Sequence, residues 1–120
     1  MPDDRRFFFQ AEGKSMYVPE VFKTFTEDYP EISEATQKVG ELCSGAGPLD
    51  EKTRQLIQTG IAAGAASKGG VRSHVRRALN EGASPEEILH AILLSTSTIG
   101  FPAMIASYGW AKDVLSTNKK

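Results

Sequence analysis

The chain has 120 residues, which is enough for one domain with a single modest core. Its 14 basic and 15 acidic residues give a net charge of −1, so neither nucleic acid nor an anionic membrane surface is expected as a partner. Every apolar run falls short of the roughly 20 residues that span a bilayer, and residues 7–9 (Phe-Phe-Phe) are too few for a signal peptide core. We therefore expect a soluble, cytoplasmic protein.

Cysteine and histidine usage restricts the chemistry further. Cys43 is the single cysteine, which excludes an intrachain disulfide, a CxxC motif and a cysteine-rich zinc site. The two histidines, His74 and His90, have no HxxxH or HExxH spacing, so neither a metal nor any other cofactor is expected. Cys43 lies near a predicted helix end, and we expect a small buried apolar residue there rather than a nucleophile.

Residues 1–18 show no consistent hydrophobic period and are predicted to form an N-terminal arm of one domain that covers residues 1–120. The aromatic triplet at residues 7–9 fits either burial in a subunit contact or a flexible tail. From Pro19 onward the pattern is helical. Pro19 suits a first helical position, and Pro30 is expected to end that first helix.

The second predicted helix covers residues 32–42 and ends at the Gly- and Pro-rich residues 44–48. Asp50 is predicted to cap a third helix, whose last turns, residues 62–66, are alanine and glycine and allow close packing of a neighbour. The segment 67–70 (Ser-Lys-Gly-Gly) is expected to interrupt the pattern before a fourth helix.

The fourth predicted helix carries His74 on its apolar stripe and closes at Gly82. Residues 84–87 (Ser-Pro-Glu-Glu) predict a capping box, with Ser84 as N-cap and Glu87 reaching back. The fifth helix is expected to run to about Ile99 and to be central and buried, because residues 91–94 are apolar. A last helix follows residues 100–102. The fold class is all-α, a compact bundle of about six helices.

Three ordered pieces of this pattern resemble the carboxymuconolactone decarboxylase family, which includes the alkylhydroperoxidase-D-like proteins. They are residues 49–54 (LDEKTR) opening a small-residue helix, residues 74–88 (HVRRALNEGASPEEI), and residues 100–103 (GFPA). Pro19 and the residues after it also look like the first helix of that family. The resemblance implies a helical subunit that assembles with copies of itself into a homotrimer or homohexamer.

In the peroxidase-like branch of the family the active motif is CxxCxxxH, with a relay glutamate on the preceding helix. Placed by its histidine, this motif falls on Ser67, Gly70 and His74, and the glutamate falls on Gln55. Both sulfurs are absent, and an amide cannot pass on a proton as a carboxylate does. Disulfide-cycling hydroperoxide reduction is therefore excluded for a single chain.

The decarboxylase branch needs no cysteine, and the run from His74 to Gly82 is similar to its pattern. The resemblance implies lyase or related acid–base chemistry on a small organic acid or lactone. His74 would be the catalytic proton donor, while Arg72, Arg76 or the adjacent Arg77 could hold a carboxylate.

Tyr108, on the apolar stripe of the last helix, is a third candidate for substrate binding, beside Arg72 and Arg76. Each candidate also has a structural explanation: a hydrogen-bonded core histidine, solvated arginines, and a packed tyrosine. The alternative function is accordingly a non-catalytic, oligomeric binding or scaffold protein whose ancestral site has decayed.

Overall fold

A computed structural model of the chain describes residues 19–117, and these form only helices, with no β-strand in that range. The predicted all-α fold is thus confirmed. The arm at residues 1–18, with its aromatic triplet, lies outside the described residues. No helix in the described range is long and apolar enough to cross a membrane. The seven helices of this range are α1 (Glu20–Asp28), α2 (Pro30–Ser44), α3 (Glu51–Gly64), α4 (Lys68–Asn80), α5 (Pro85–Leu93), α6 (Thr96–Ile99) and α7 (Phe101–Thr117).

The chain divides into two compact units between Pro48 and Leu49. The first unit contains α1 and α2, and the second contains α3 to α7. The family resemblance placed its three ordered motifs after residue 48, and so within the second unit. That the whole chain folds as one domain stays a prediction.

The helices of the first unit bury polar side chains and expose apolar ones. The hydroxyls of Thr26 and Ser33 share a hydrogen bond of 2.9 Å, and Gln37 Nε2 donates to Ser33 Oγ over 3.4 Å. The large exposed apolar side chains of α1 and α2 are Val21, Phe22, Phe25, Ile32, Val39 and Leu42. A helix pair with this arrangement has apolar surface available for a further contact.

The core of the second unit lies where α4, α5 and α7 meet α3. Val71 and Val75 from α4 and Ile88 and Ile92 from α5 are completely buried. On α3 the matching position is Ala63, also completely buried, and Ala62 beside it is 7% exposed, so two of the small residues predicted to permit close packing lie in the core, whereas residues 64–66 are exposed.

Side-chain caps begin three helices of the second unit. Asp50 accepts a hydrogen bond from the Thr53 amide at 2.9 Å. At the start of α5 the Ser84 hydroxyl accepts from the Glu87 amide, and the Glu87 carboxylate accepts from the Ser84 amide, so the predicted capping box is confirmed. Ser67 caps α4 by accepting from the Gly70 amide at 3.0 Å. The expectation that residues 67–70 interrupt the pattern was therefore wrong in part, because both glycines lie in the first turn of α4.

Helices α3 and α4 end in the same type of six-residue turn, in which one residue has a left-handed backbone conformation. Gly82 has φ +93°, and the Ala83 amide reaches back to the Ala78 carbonyl at 2.9 Å, which confirms Gly82 as the predicted end of α4. Ala66 occupies the equivalent position after α3, with φ +56°. A Cβ is unfavourable in that region, so Ala66 is a point of backbone strain.

The fifth predicted helix is broken, which corrects the expectation that it runs to about Ile99. It ends at Leu93, and the short α6 follows. At the break the Ser95 and Thr96 hydroxyls each donate, at 2.7 Å, to the carbonyl three residues earlier, in competition with the helical amides. The segment is also not buried on all sides, since Leu93 and Leu94 are 47% and 65% exposed.

Candidate functional site

The side chains of α3 and α4 meet at Gln55 and His74. Gln55 Oε1 and His74 Nδ1 are 2.9 Å apart, and Gln55 is only 4% exposed. These are the two positions that the family resemblance pairs as relay and histidine. The second ring nitrogen of His74, Nε2, has no hydrogen-bond partner among residues 19–117.

Behind Gln55, one turn earlier on α3, lies Glu51. Gln55 Nε2 donates to Glu51 Oε2 at 2.8 Å, and Arg54 donates to Glu51 Oε1. Burial alone would raise the pKa of the Glu51 carboxyl, but the hydrogen bonds from Gln55 and Arg54 outweigh burial and lower it. Glu51 is therefore an ionised acceptor at neutral pH.

The His74 ring is kept neutral. Its burial, reinforced by the positive charge of Arg77 one turn further along α4, lowers the pKa of His74 to about 4. Burial also lowers the pKa of the Arg77 guanidinium, while the Glu51 carboxylate opposes that shift. The site thus contains a neutral histidine beside the Arg77 cation, with the Glu51 carboxylate joined to the histidine through Gln55.

The positions that would carry the two thiols of the peroxidase-like branch lie at the start of α4. There the Ser67 hydroxyl caps the helix by accepting a hydrogen bond from the Gly70 amide. A Cβ at position 70 would lie 2.7 Å from Ser67 Oγ and 3.1 Å from the Ala62 Cβ, so positions 67 and 70 lie close together.

Cys43 belongs to the first unit and is exposed, which corrects the expectation of a buried residue.

The structure brings none of the three predicted substrate-binding residues into hydrogen-bond contact with His74 within the described residues. Arg72 and Arg76 lie two positions before and after it, on other sides of α4. Arg72 pairs with Asp113 of α7 at 3.1 Å. Tyr108 is half-buried against the core, with Lys112 Nζ 5.9 Å from its ring centroid. Their roles in binding stay predictions.

Sequence reasoning missed Glu51 as a member of the site and left Arg77 out of the chosen residues. A signal for both was present in the spacing. Glu51 precedes Gln55 by four residues and Arg77 follows His74 by three, and such residues share one face of a helix.

A separate apolar groove of about 680 Å³ runs between α3 and the α5–α6 segment, and His74 is not among its lining residues. Leu56, Ile61 and Leu94 line it, and His90 and Glu87 contribute its polar wall. In the described part of the chain no group of three or more histidine, cysteine or acidic side chains is arranged to hold a metal ion.

Comparison with known proteins agrees with the resemblance. The model of the carboxymuconolactone decarboxylase family matches residues 30–113, which is more than half of the chain and includes every residue of the site described above. A comparison with curated proteins found no match.

Proposed function

Because this chain belongs to the carboxymuconolactone decarboxylase family, we propose that it carries out acid–base chemistry on a small organic acid or lactone, with His74 as the group that exchanges a proton. The hydrogen bonding of the His74 ring gives the strongest support for this proposal. One nitrogen is held by Gln55 and the other has no partner in the described residues, so the ring is oriented and still able to react.

The pKa of His74 favours one reaction within this class. At a pKa of about 4, only about one ring in a thousand carries the extra proton at pH 7. Lactone decarboxylation ends with a carbanion that needs a proton from an already protonated donor. Isomerisation does not, because the neutral ring first takes a proton from carbon, leaving its electron pair in an enolate, and then returns the proton at a second carbon. In the substrate-free protein the neutral ring suits isomerisation, which is therefore the reaction to test first, whereas decarboxylation requires the substrate to raise the pKa of His74.

Arg77 supplies the positive charge that an acidic substrate needs. A substrate carboxylate near this guanidinium would offset the field that Arg77 exerts on His74, and so raise the pKa of the ring towards its ordinary value. Substrate binding and proton transfer are coupled in this way. Arg72, Arg76 and Tyr108 remain the candidates for further substrate contacts.

We also propose that the protein acts as a homotrimer or homohexamer. The exposed apolar side chains of the first unit, and those of Ile57, Ile61 and Phe101 in the second, support association with further copies.

The second candidate function is a non-catalytic oligomeric binding or scaffold protein. The observation that favours it is Gln55, because an amide in the position of the family's relay carboxylate cannot itself carry a proton. The lack of a thiol pair in the sequence leaves hydroperoxide reduction outside both proposals.

The two functions are separated by native mass spectrometry of small molecules that co-purify with the protein. We expect a bound organic acid with the unmodified chain and with His90→Ala, the matched control, and its loss with His74→Ala. The same ligand profile in all three proteins would contradict a functional site at His74 and favour the scaffold.

A further inference from the structure

We propose that Gln55, oriented by Glu51, is a positioning residue that holds His74 in the Nδ1–H tautomer and leaves the Nε2 lone pair as the atom that exchanges the proton. The part that concerns the reacting atom rests on the proposed function. The part that concerns the tautomer rests only on three side chains and the two hydrogen bonds that join them.

The Glu51 carboxylate determines the orientation of the Gln55 amide. An amide has a donor end, the NH₂ group, and an acceptor end, the carbonyl oxygen. The ionised Glu51 carboxylate can only accept hydrogen bonds, so the NH₂ group of Gln55 must face it. The 2.8 Å hydrogen bond from Gln55 Nε2 to Glu51 Oε2 agrees with this orientation. Arg54 holds the other carboxylate oxygen and keeps Glu51 in place. The reversed amide would set two acceptors against each other.

The orientation of the Gln55 amide determines the tautomer of His74. With its NH₂ group on Glu51, Gln55 presents its carbonyl oxygen to His74 Nδ1 at 2.9 Å. A carbonyl oxygen only accepts, so Nδ1 must carry the hydrogen. A neutral imidazole has one N–H group, and Nε2 is consequently the nitrogen with the free lone pair.

The Nδ1–H tautomer also keeps the ring in place through a reaction cycle. When Nε2 takes a proton from substrate, Nδ1 keeps its hydrogen and its bond to Gln55. The ring therefore changes charge without losing its orientation, and it returns the proton through the same nitrogen. Gln55 remains neutral throughout, because an amide does not compete with His74 for the proton.

The test is nitrogen-15 NMR of the histidine rings at pH 7, where a protonated and an unprotonated ring nitrogen give well-separated signals. The chain has two histidines, so His90→Asn leaves His74 alone in the spectrum. Gln55→Met removes both ends of the amide at similar length. Gln58→Met, on the same helix, is the matched control, and Glu51→Gln tests the orientation of the amide without altering Gln55.

We expect His74 to be protonated at Nδ1 in the unmodified site and in Gln58→Met. Gln55→Met should shift the ring towards the Nε2–H form, and Glu51→Gln should give a mixture of the two. An Nε2–H ring in the unmodified protein would overturn the proposal, and so would an Nδ1–H ring that persists in both Gln55→Met and Glu51→Gln.

Catalysis gives a second readout that a purely structural role would not move. The rate at which solvent deuterium enters an unsaturated γ-lactone acid should fall at least about tenfold in Gln55→Met, with Gln58→Met unchanged. An equal rate in both variants would refute the positioning role of Gln55 in the reaction. An Nδ1–H ring in a protein that catalyses no exchange would refute the proposed function while leaving the tautomer assignment intact.

Discussion

Acidification from pH 7 to pH 5 should destabilise this protein through the side chain of His74. The folded protein holds the pKa of His74 at about 4, against 6.5 for an unperturbed histidine. The unfolded chain therefore takes up the proton first as the pH falls. The contribution of the neutral ring to stability is fully present above pH 6.5 and is lost as the pH falls towards 4.

The size of this effect follows from the two pKa values. Their separation corresponds to about 3 kcal/mol over the whole titration, of which about 2 kcal/mol is lost between pH 7 and pH 5. The carboxyls with lowered pKa values, Asp50, Glu51 and Glu87, lose their contributions only as the pH falls through the range below 4.5. The interval from pH 7 to pH 5 thus separates the contribution of His74 from those of these three carboxyls.

Urea unfolding at fixed protein concentration measures the effect. The unmodified chain should lose about 2 kcal/mol of unfolding free energy between pH 7 and pH 5. His74→Gln, which cannot titrate, should lose almost none, whereas Gln58→Met, which keeps His74, should behave like the unmodified chain. Equal losses in the unmodified chain and in His74→Gln would refute the assignment of a buried, neutral His74.

Three stability predictions concern the rest of the fold, and thermal unfolding checks each of them. Ala66→Gly should stabilise the protein by about 1 kcal/mol, because glycine relieves the strain of the left-handed backbone. Ala106→Gly, inside α7, should destabilise it by a similar amount. A loss of stability in both variants would contradict the strain at Ala66. Ile92→Ala should cost about 2–5 kcal/mol, and the exposed Leu94→Ala far less; equal costs would contradict the burial of Ile92 and the exposure of Leu94. Ser84→Ala should cost about 1 kcal/mol, and no change would argue against the capping box.

Local signals in the sequence were sufficient for most helix boundaries of the second unit. Asp50, Ser84 and Gly82 act on backbone groups within a few residues, so their roles can be recognised without knowing the fold. The break after Leu93 was missed because apolar periodicity outweighed a weaker signal. That signal is the run of serine and threonine at residues 95–98, whose hydroxyls compete for helical carbonyls.

Only part of the candidate site could be predicted from the sequence. The pairing of Gln55 with His74 followed from the spacing of a family motif. The spacing places Glu51 on the face of Gln55 and Arg77 on the face of His74, but only the packing of α3 against α4 shows that these faces meet, because hydropathy does not tell which polar face of a helix contacts its neighbour. The exposure of Cys43 was unpredictable on similar grounds, since many apolar side chains of α1 and α2 also lie outside their own unit's core.

The central claim is that His74 exchanges a proton with a small acidic substrate. Its most direct test is proton NMR of carboxymuconolactone and simpler unsaturated γ-lactone acids incubated with the protein in D₂O. We predict that deuterium enters the carbon next to the carbonyl with the unmodified chain and with His90→Ala, and that incorporation falls to the uncatalysed rate with His74→Ala. Incorporation at equal rates with His74→Ala and the unmodified chain would contradict the claim, as would no incorporation above the uncatalysed rate with any of the three proteins.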